Sequence, residues 1–160
     1  CALPICYVPL LQLDDGSRHT EVAALLQYVG DLAPASGLMP AAGTRQRFEV
    51  LQWLTFVSSE LHKVFSPWLW HKETADSTRK ACKDRLALRF AELDSLLAQR
   101  SFLAGEQFTV ADAYAFTVLN WAPMLGLSLQ AHPRLTAYLE RVAARPGVRA
   151  ALQAEGLLKA

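Results

Sequence analysis

The sequence predicts a mostly α fold: an all-helical bundle preceded by a short piece of α/β structure. Three observations predict it. Thr109 and Asp112 stand at capping-box spacing at the head of residues 110–122, which leave almost no polar face, and a helix apolar all round must be buried all round. Apolar residues also recur at steps of three and four through residues 50–68, 82–97 and 135–142, the period of amphipathic helices. Strand-like patterning is confined to the first twenty residues, too few to bury a sheet alone.

In order, residues 7–13 read as a strand, Asp14-Asp15-Gly16 as a hairpin turn and residues 17–19 as the returning strand. Pro9 fits only an edge or a first strand position. Ala24, Leu25, Tyr28 and Val29 then take helical spacing over residues 21–29, with Thr20 as N-cap and Gly30 as stop. Residues 32–43, with Pro34, Gly37, Pro40 and Gly43, read as an interdomain linker. Thr44 caps a long helix whose core stripe is Val50, Leu54, Val57, Leu61, Val64 and Trp68. Gln52, Thr55, Ser59 and His62 form a small-polar line beside it. Trp53 and Phe56 make a third face, either a dimer surface or core beneath the linker.

Ser66-Pro67 bends or ends that helix, and residues 74–77 are a polar connector. The next helix turns Cys82, Leu86, Phe90, Leu93 and Leu97 inward, with Arg79, Lys83, Arg89 and Glu92 outside. Phe102, Leu103 and Phe108 plug the loop into the central helix, which Pro123 and Gly126 terminate. Pro133 opens a further helix at a position where a missing amide costs nothing, with Leu135, Tyr138, Leu139 and Val142 as its stripe. Arg145-Pro146 closes it, and residues 148–155 form a short last helix.

The 160 residues fit one domain, or one domain plus part of another. A 52% hydrophobic and 19% charged composition is globular. The net charge of +1, from scattered basic residues, offers no footprint for nucleic acid. No apolar run approaches the roughly 20 residues that span a bilayer, so no membrane association is expected. The three cysteines, Cys1, Cys6 and Cys82, have no metal-ligand spacing, no metal is expected, and a reducing cytoplasm is the expected compartment.

The run from Phe102-Leu103-Ala104-Gly105-Glu106 through Phe108-Thr109-Val110-Ala111-Asp112-Ala113-Tyr114 closely resembles the capped, buried helix of the glutathione transferase helical domain. The tail around Ala143-Ala144-Arg145-Pro146-Gly147-Val148 looks like that of the bacterial, beta-class members. Leu3-Pro4-Ile5-Cys6-Tyr7-Val8-Pro9 has the register of the family's N-P-x-G-x-V-P segment, with Leu3 and Cys6 as departures. The resemblance implies a partial thioredoxin-like domain over residues 1–31, a linker over 32–43 and a helical domain over 44–160. It also implies that the family's first β-α-β unit is missing, an N-terminal truncation.

It further implies glutathione as co-substrate. On the letters alone, Pro9 is an ordinary trans proline; the family's motif proline is cis, turning the backbone of Val8 toward the tripeptide. Glu21 is either a plain capping acid or a partner for the γ-glutamyl ammonium, and the amide of Val22 at the helix N-terminus suits the γ-glutamyl carboxylate. The segment Trp53 to Lys63 matches the beta-class stretch lining the cleft between domains. By that match, His62 is the histidine next to the reactive thiol, Ser59, Glu60 and Leu61 border glutathione, and Lys63 follows. Thr55 stands where the family often has an asparagine that reaches the partner subunit's ligand. Trp121 packs in the core or closes the electrophile pocket.

The beta-class cysteine that touches the sulfur lies on the missing unit, so no catalytic cysteine is assigned. The expected function is conjugation of glutathione to a small apolar electrophile by a homodimeric enzyme, of which this chain is a fragment lacking the thiol-activating residue. The alternative is a non-catalytic glutathione-binding or protein-interaction module of the same fold.

Overall fold

The computed structural model describes residues 8–158, so Cys1, Cys6 and the start of the first expected strand lie outside the described residues. The post of the structure is the helix Val110–Leu119 (α5 below), whose side chains are nearly all buried. Its N-terminus forms the expected capping box. One Asp112 oxygen accepts the Thr109 amide at 2.8 Å and the Thr109 hydroxyl at 3.0 Å. The other accepts the Leu103 amide at 2.8 Å and the Tyr138 hydroxyl at 3.0 Å. A buried carboxylate thus satisfies four donors that would otherwise be orphaned.

The chain begins with a two-stranded antiparallel hairpin, β1 (Leu11–Gln12) and β2 (Arg18–His19), with Leu11 opposite His19. It continues into α1 (Val22–Asp31). After a loop come α2 (Arg45–Phe56), a π-helical segment over Val57–His62 and a last turn, α3 (Lys63–Phe65). Next are α4 (Asp76–Leu96), α5, α6 (Pro133–Ala143) and α7 (Pro146–Ala154). α5 packs against α1, α2, the π segment and α6, while α4 packs on α3 and α6. Thr44 caps α2 as expected, its hydroxyl accepting the Arg47 amide at 3.2 Å. Asp94, on α4, accepts the amides of Arg134 and Leu135 at 2.8 and 3.0 Å and so caps α6 from another element.

Several local expectations are corrected. The N-cap of α1 is Glu21 rather than Thr20. Glu21 turns at φ 73°, ψ 107°, and its carbonyl accepts the amides of Ala24 and Leu25 at 3.0 Å each. Gly30 lies inside α1 and does not end it: a Cβ there would meet the Met39 Cβ at 2.7 Å, so the glycine is a point of close approach. Residues 32–43, expected as a linker, make contacts with the bundle. The Val110 amide donates to the Leu38 carbonyl at 3.0 Å, Met39 is buried, and Arg47 pairs with Asp31 at 2.6 Å. Trp68 leaves the core stripe and is 47% exposed, because the helix stops at Phe65 ahead of Pro67. Cys82 is half-buried rather than fully packed, and burial pushes its thiol pKa up. The last helix starts at Pro146, again a proline in the first turn.

Candidate active site

A cleft of about 310 Å³ opens where the hairpin–helix unit meets the bundle. Val8 and Pro9 line it ahead of β1, and Glu21 and Val22 at the start of α1. Ser58, His62 and Lys63 come from the π segment and the turn after it, Ser66 from beyond α3, and Tyr114 from α5. The Val8-Pro9 peptide bond is cis. Glu21 makes no side-chain cap bond to its own helix, so its carboxylate remains for the cleft. A positive φ is uncommon for a residue with a side chain, and such strain collects at functional sites.

His62 stands on the π segment, a form of helix frequent at functional sites. Its Nδ1 lies 2.6 Å from the Tyr114 hydroxyl. The ring meets Trp121 edge to face, centroids 5.0 Å apart at 74°. Trp121 in turn meets Phe65 and Trp70 at 5.9 Å each. Burial first, and the neighbouring Lys63 charge second, hold the His62 pKa below its ordinary value, so the imidazole is neutral near pH 7. Burial pushes the Tyr114 hydroxyl the other way, upward. One wall of the cleft therefore carries a neutral imidazole and a protonated phenol; Glu21 and Lys63 supply one charge of each sign.

Residues 56–146, more than half of the chain, match the family described as glutathione S-transferase, C-terminal domain.
The chain belongs to the glutathione S-transferase family. It is 37% identical over 150 residues to the glutathione S-transferase GstA of Escherichia coli O157:H7, covering 94% of this chain and 74% of that protein. The solved structure of a sphingomonad glutathione S-transferase complexed with glutathione superposes with a TM-score of 0.90 at 43% identity, covering 97% of this chain and 77% of that one. A bacterial beta-class glutathione S-transferase of Sphingomonas chungbukensis superposes with a TM-score of 0.91 at 39% identity, again covering 97% and 77%. The fold is accordingly that of a transferase helical domain preceded by part of a thioredoxin-like unit.

Of the residues expected from the family resemblance, Val8, Pro9, Glu21, Val22, His62 and Lys63 are brought together in the cleft. The others stand elsewhere. Leu61 is fully buried in the core. The Thr55 and Ser59 hydroxyls donate to the carbonyls of Leu51 and Thr55 on their own helix. Glu60 is clamped by Arg85 at 2.8 Å and Arg89 at 2.6 Å, which hold its carboxyl below the usual range. Trp121 backs the imidazole instead of lining the cleft. Sequence reasoning missed Ser58, Ser66 and Tyr114. For Tyr114 a signal existed: a tyrosine inside an all-apolar helix needs a partner for its hydroxyl.

Proposed function

We propose that this cleft holds glutathione and that the protein conjugates its thiol to small apolar electrophiles. The observation that carries the reading is the convergence of Val8, Glu21, Val22, His62 and Lys63, from separate parts of the chain, on one cleft. Glutathione is an extended zwitterionic tripeptide, and each of its parts has a complement there. The Val8 backbone pairs with the peptide in the manner of a strand edge. Glu21 takes the γ-glutamyl ammonium, and the Val22 amide at the N-terminus of α1 takes the γ-glutamyl carboxylate. His62 and Lys63 stand where negative charge on sulfur is stabilised, and the thiolate is the attacking species. The sulfur forms a bond to an electrophilic carbon; on a chloronitroaromatic, chloride leaves with the electron pair, and the thiol proton goes to solvent. Trp121, with Trp70 edge-on to it, packs behind His62 and holds the aromatic side of the site away from water.

Ser59, Glu60, Leu61 and Thr55 support this arrangement from behind the cleft, through the helix they share with His62. The organisation is a glutathione-binding unit over residues 1–31, a connection over 32–43 and a helical domain over 44–160. Phe48, 68% exposed on α2, together with the edge-to-face pair Trp53 and Phe56, is the surface we assign to a homodimer. None of the helices among the described residues is long and apolar enough to cross a membrane, and we place the enzyme in the cytoplasm. The test is retention on immobilised glutathione followed by a conjugation assay. His62→Ala is expected to keep the fold and to lower kcat/KM at least about tenfold, as loss of a charge-stabilising donor does. Retention without turnover would favour a glutathione-binding module. Failure of the folded protein to be retained would remove the glutathione reading.

A further inference from the structure

An imidazole beside a thiol can act in two ways: a bare Nε2 takes the proton, whereas an Nε2–H donates a hydrogen bond to the sulfur anion. The choice is made at the other ring nitrogen. Nδ1 is committed to the Tyr114 hydroxyl at 2.6 Å, which leaves Nε2 for the cleft. Between a phenol and a neutral imidazole, the phenol is the more acidic donor and the imidazole nitrogen the more basic acceptor. The proton of that contact therefore belongs on the tyrosine oxygen. Ser58 lines the same cleft and its hydroxyl is able to donate, so Tyr114 need not spend its own hydrogen on the serine. Trp121 packs against the imidazole in a T-shaped contact, centroids 5.0 Å apart, and so supports the ring on its other side.

Resting on the glutathione reading of the cleft, we propose that Tyr114 is a positioning residue. It fixes His62 as the neutral Nε2–H tautomer, so that the imidazole offers the glutathione sulfur a donor and not a base. The groups that face the ring agree with this. Lys63 adjoins it along the chain, Tyr114 reaches it from α5 and Ser58 comes from its own segment, while Glu21 stands across the cleft at the cap of α1. A cation beside the ring disfavours imidazolium, so His62 contributes a dipole and Lys63 the charge. The thiol proton then leaves to solvent.

Two measurements decide the matter. In the protein labelled with 15N at histidine, the His62 spectrum near pH 7 is expected to show Nε2 protonated and Nδ1 bare and hydrogen-bonded, with the Nδ1 signal moving in Tyr114→Phe. An Nδ1–H tautomer overturns the proposal. In conjugation assays, Tyr114→Phe is expected to cost roughly fivefold in kcat/KM, the scale of one hydrogen bond, and nothing further in a His62→Ala background. His62→Gln, which keeps a donor near the Nε2 position, is expected to recover most of what His62→Ala loses. An equal Tyr114→Phe loss in both backgrounds, or a His62→Gln variant as impaired as His62→Ala, contradicts the assignment. Thermal melts of each variant separate these losses from unfolding. If the unsubstituted protein neither binds nor conjugates glutathione, the functional reading fails and the tautomer alone decides the Tyr114 geometry.

Discussion

His62 is half-buried, between the solvent its charged form would need and the aromatic packing that excludes it. Its folded pKa lies below the ordinary value, from burial and then the Lys63 charge. As pH falls through about 6.5 the unfolded chain takes up a proton that the folded chain resists, so this residue costs stability on the acid side and nothing above it. Thermal melts at pH 5.5 and 7.5 are expected to show a loss on acidification that is smaller in His62→Gln; an identical loss in both would place the titration elsewhere. At this scale much was legible in the chain. Val8, Pro9, Glu21, Val22, His62 and Lys63 were legible through their resemblance to the family's motifs, and the structure gathers them. Tyr114 was only faintly legible: its hydroxyl in an apolar helix calls for a partner, but its neighbours Ala113, Ala115 and Phe116 make it look like one more core residue. Only a partner 52 positions away reveals its hydroxyl's task.

Among the elements, the capped central helix was the most readable and the π segment the least. Val50, Leu54, Val57, Leu61 and Val64 are buried as an α-helical stripe would have them, so apolar spacing does not betray the wider turn. Glu60, tied to Arg85 and Arg89 on α4, pins that turn to its neighbour. The cap of α1 was misplaced by one residue because Thr20 is the better capping side chain; the backbone turn at Glu21 decides instead. At the other end of the site, Asp112 holds α5, and therefore Tyr114, in place. Asp112→Ala is expected to destabilise the protein by roughly 2–4 kcal/mol in chemical denaturation, since it removes a cap and strands buried donors. A loss within about 0.5 kcal/mol, the usual scale of a surface substitution, would show the box to be dispensable.

For the molecule as a whole, the cleft exists only because the hairpin–helix unit is held at a fixed angle to the bundle. Gly30 against Met39 and Val110, the Leu38–Val110 backbone bond and the Arg47–Asp31 pair do the holding. Composition marked residues 32–43 as a linker, but no local pattern announces that Met39 within it is buried, since that depends on which helix lies beneath it. Gly30→Ala forces a Cβ to within 2.7 Å of the Met39 Cβ, an overpacking that costs about 1–3 kcal/mol. It should weaken retention on glutathione although Gly30 touches no part of the cleft; unchanged affinity would mean that the angle between the two parts is not set there. The arrangement is tested most directly by determining the structure of the protein with glutathione bound and measuring where the sulfur lies. The account predicts sulfur within hydrogen-bond reach of His62 Nε2 and the γ-glutamyl group at Glu21 and Val22. Sulfur remote from His62, or a γ-glutamyl group away from the start of α1, would contradict it.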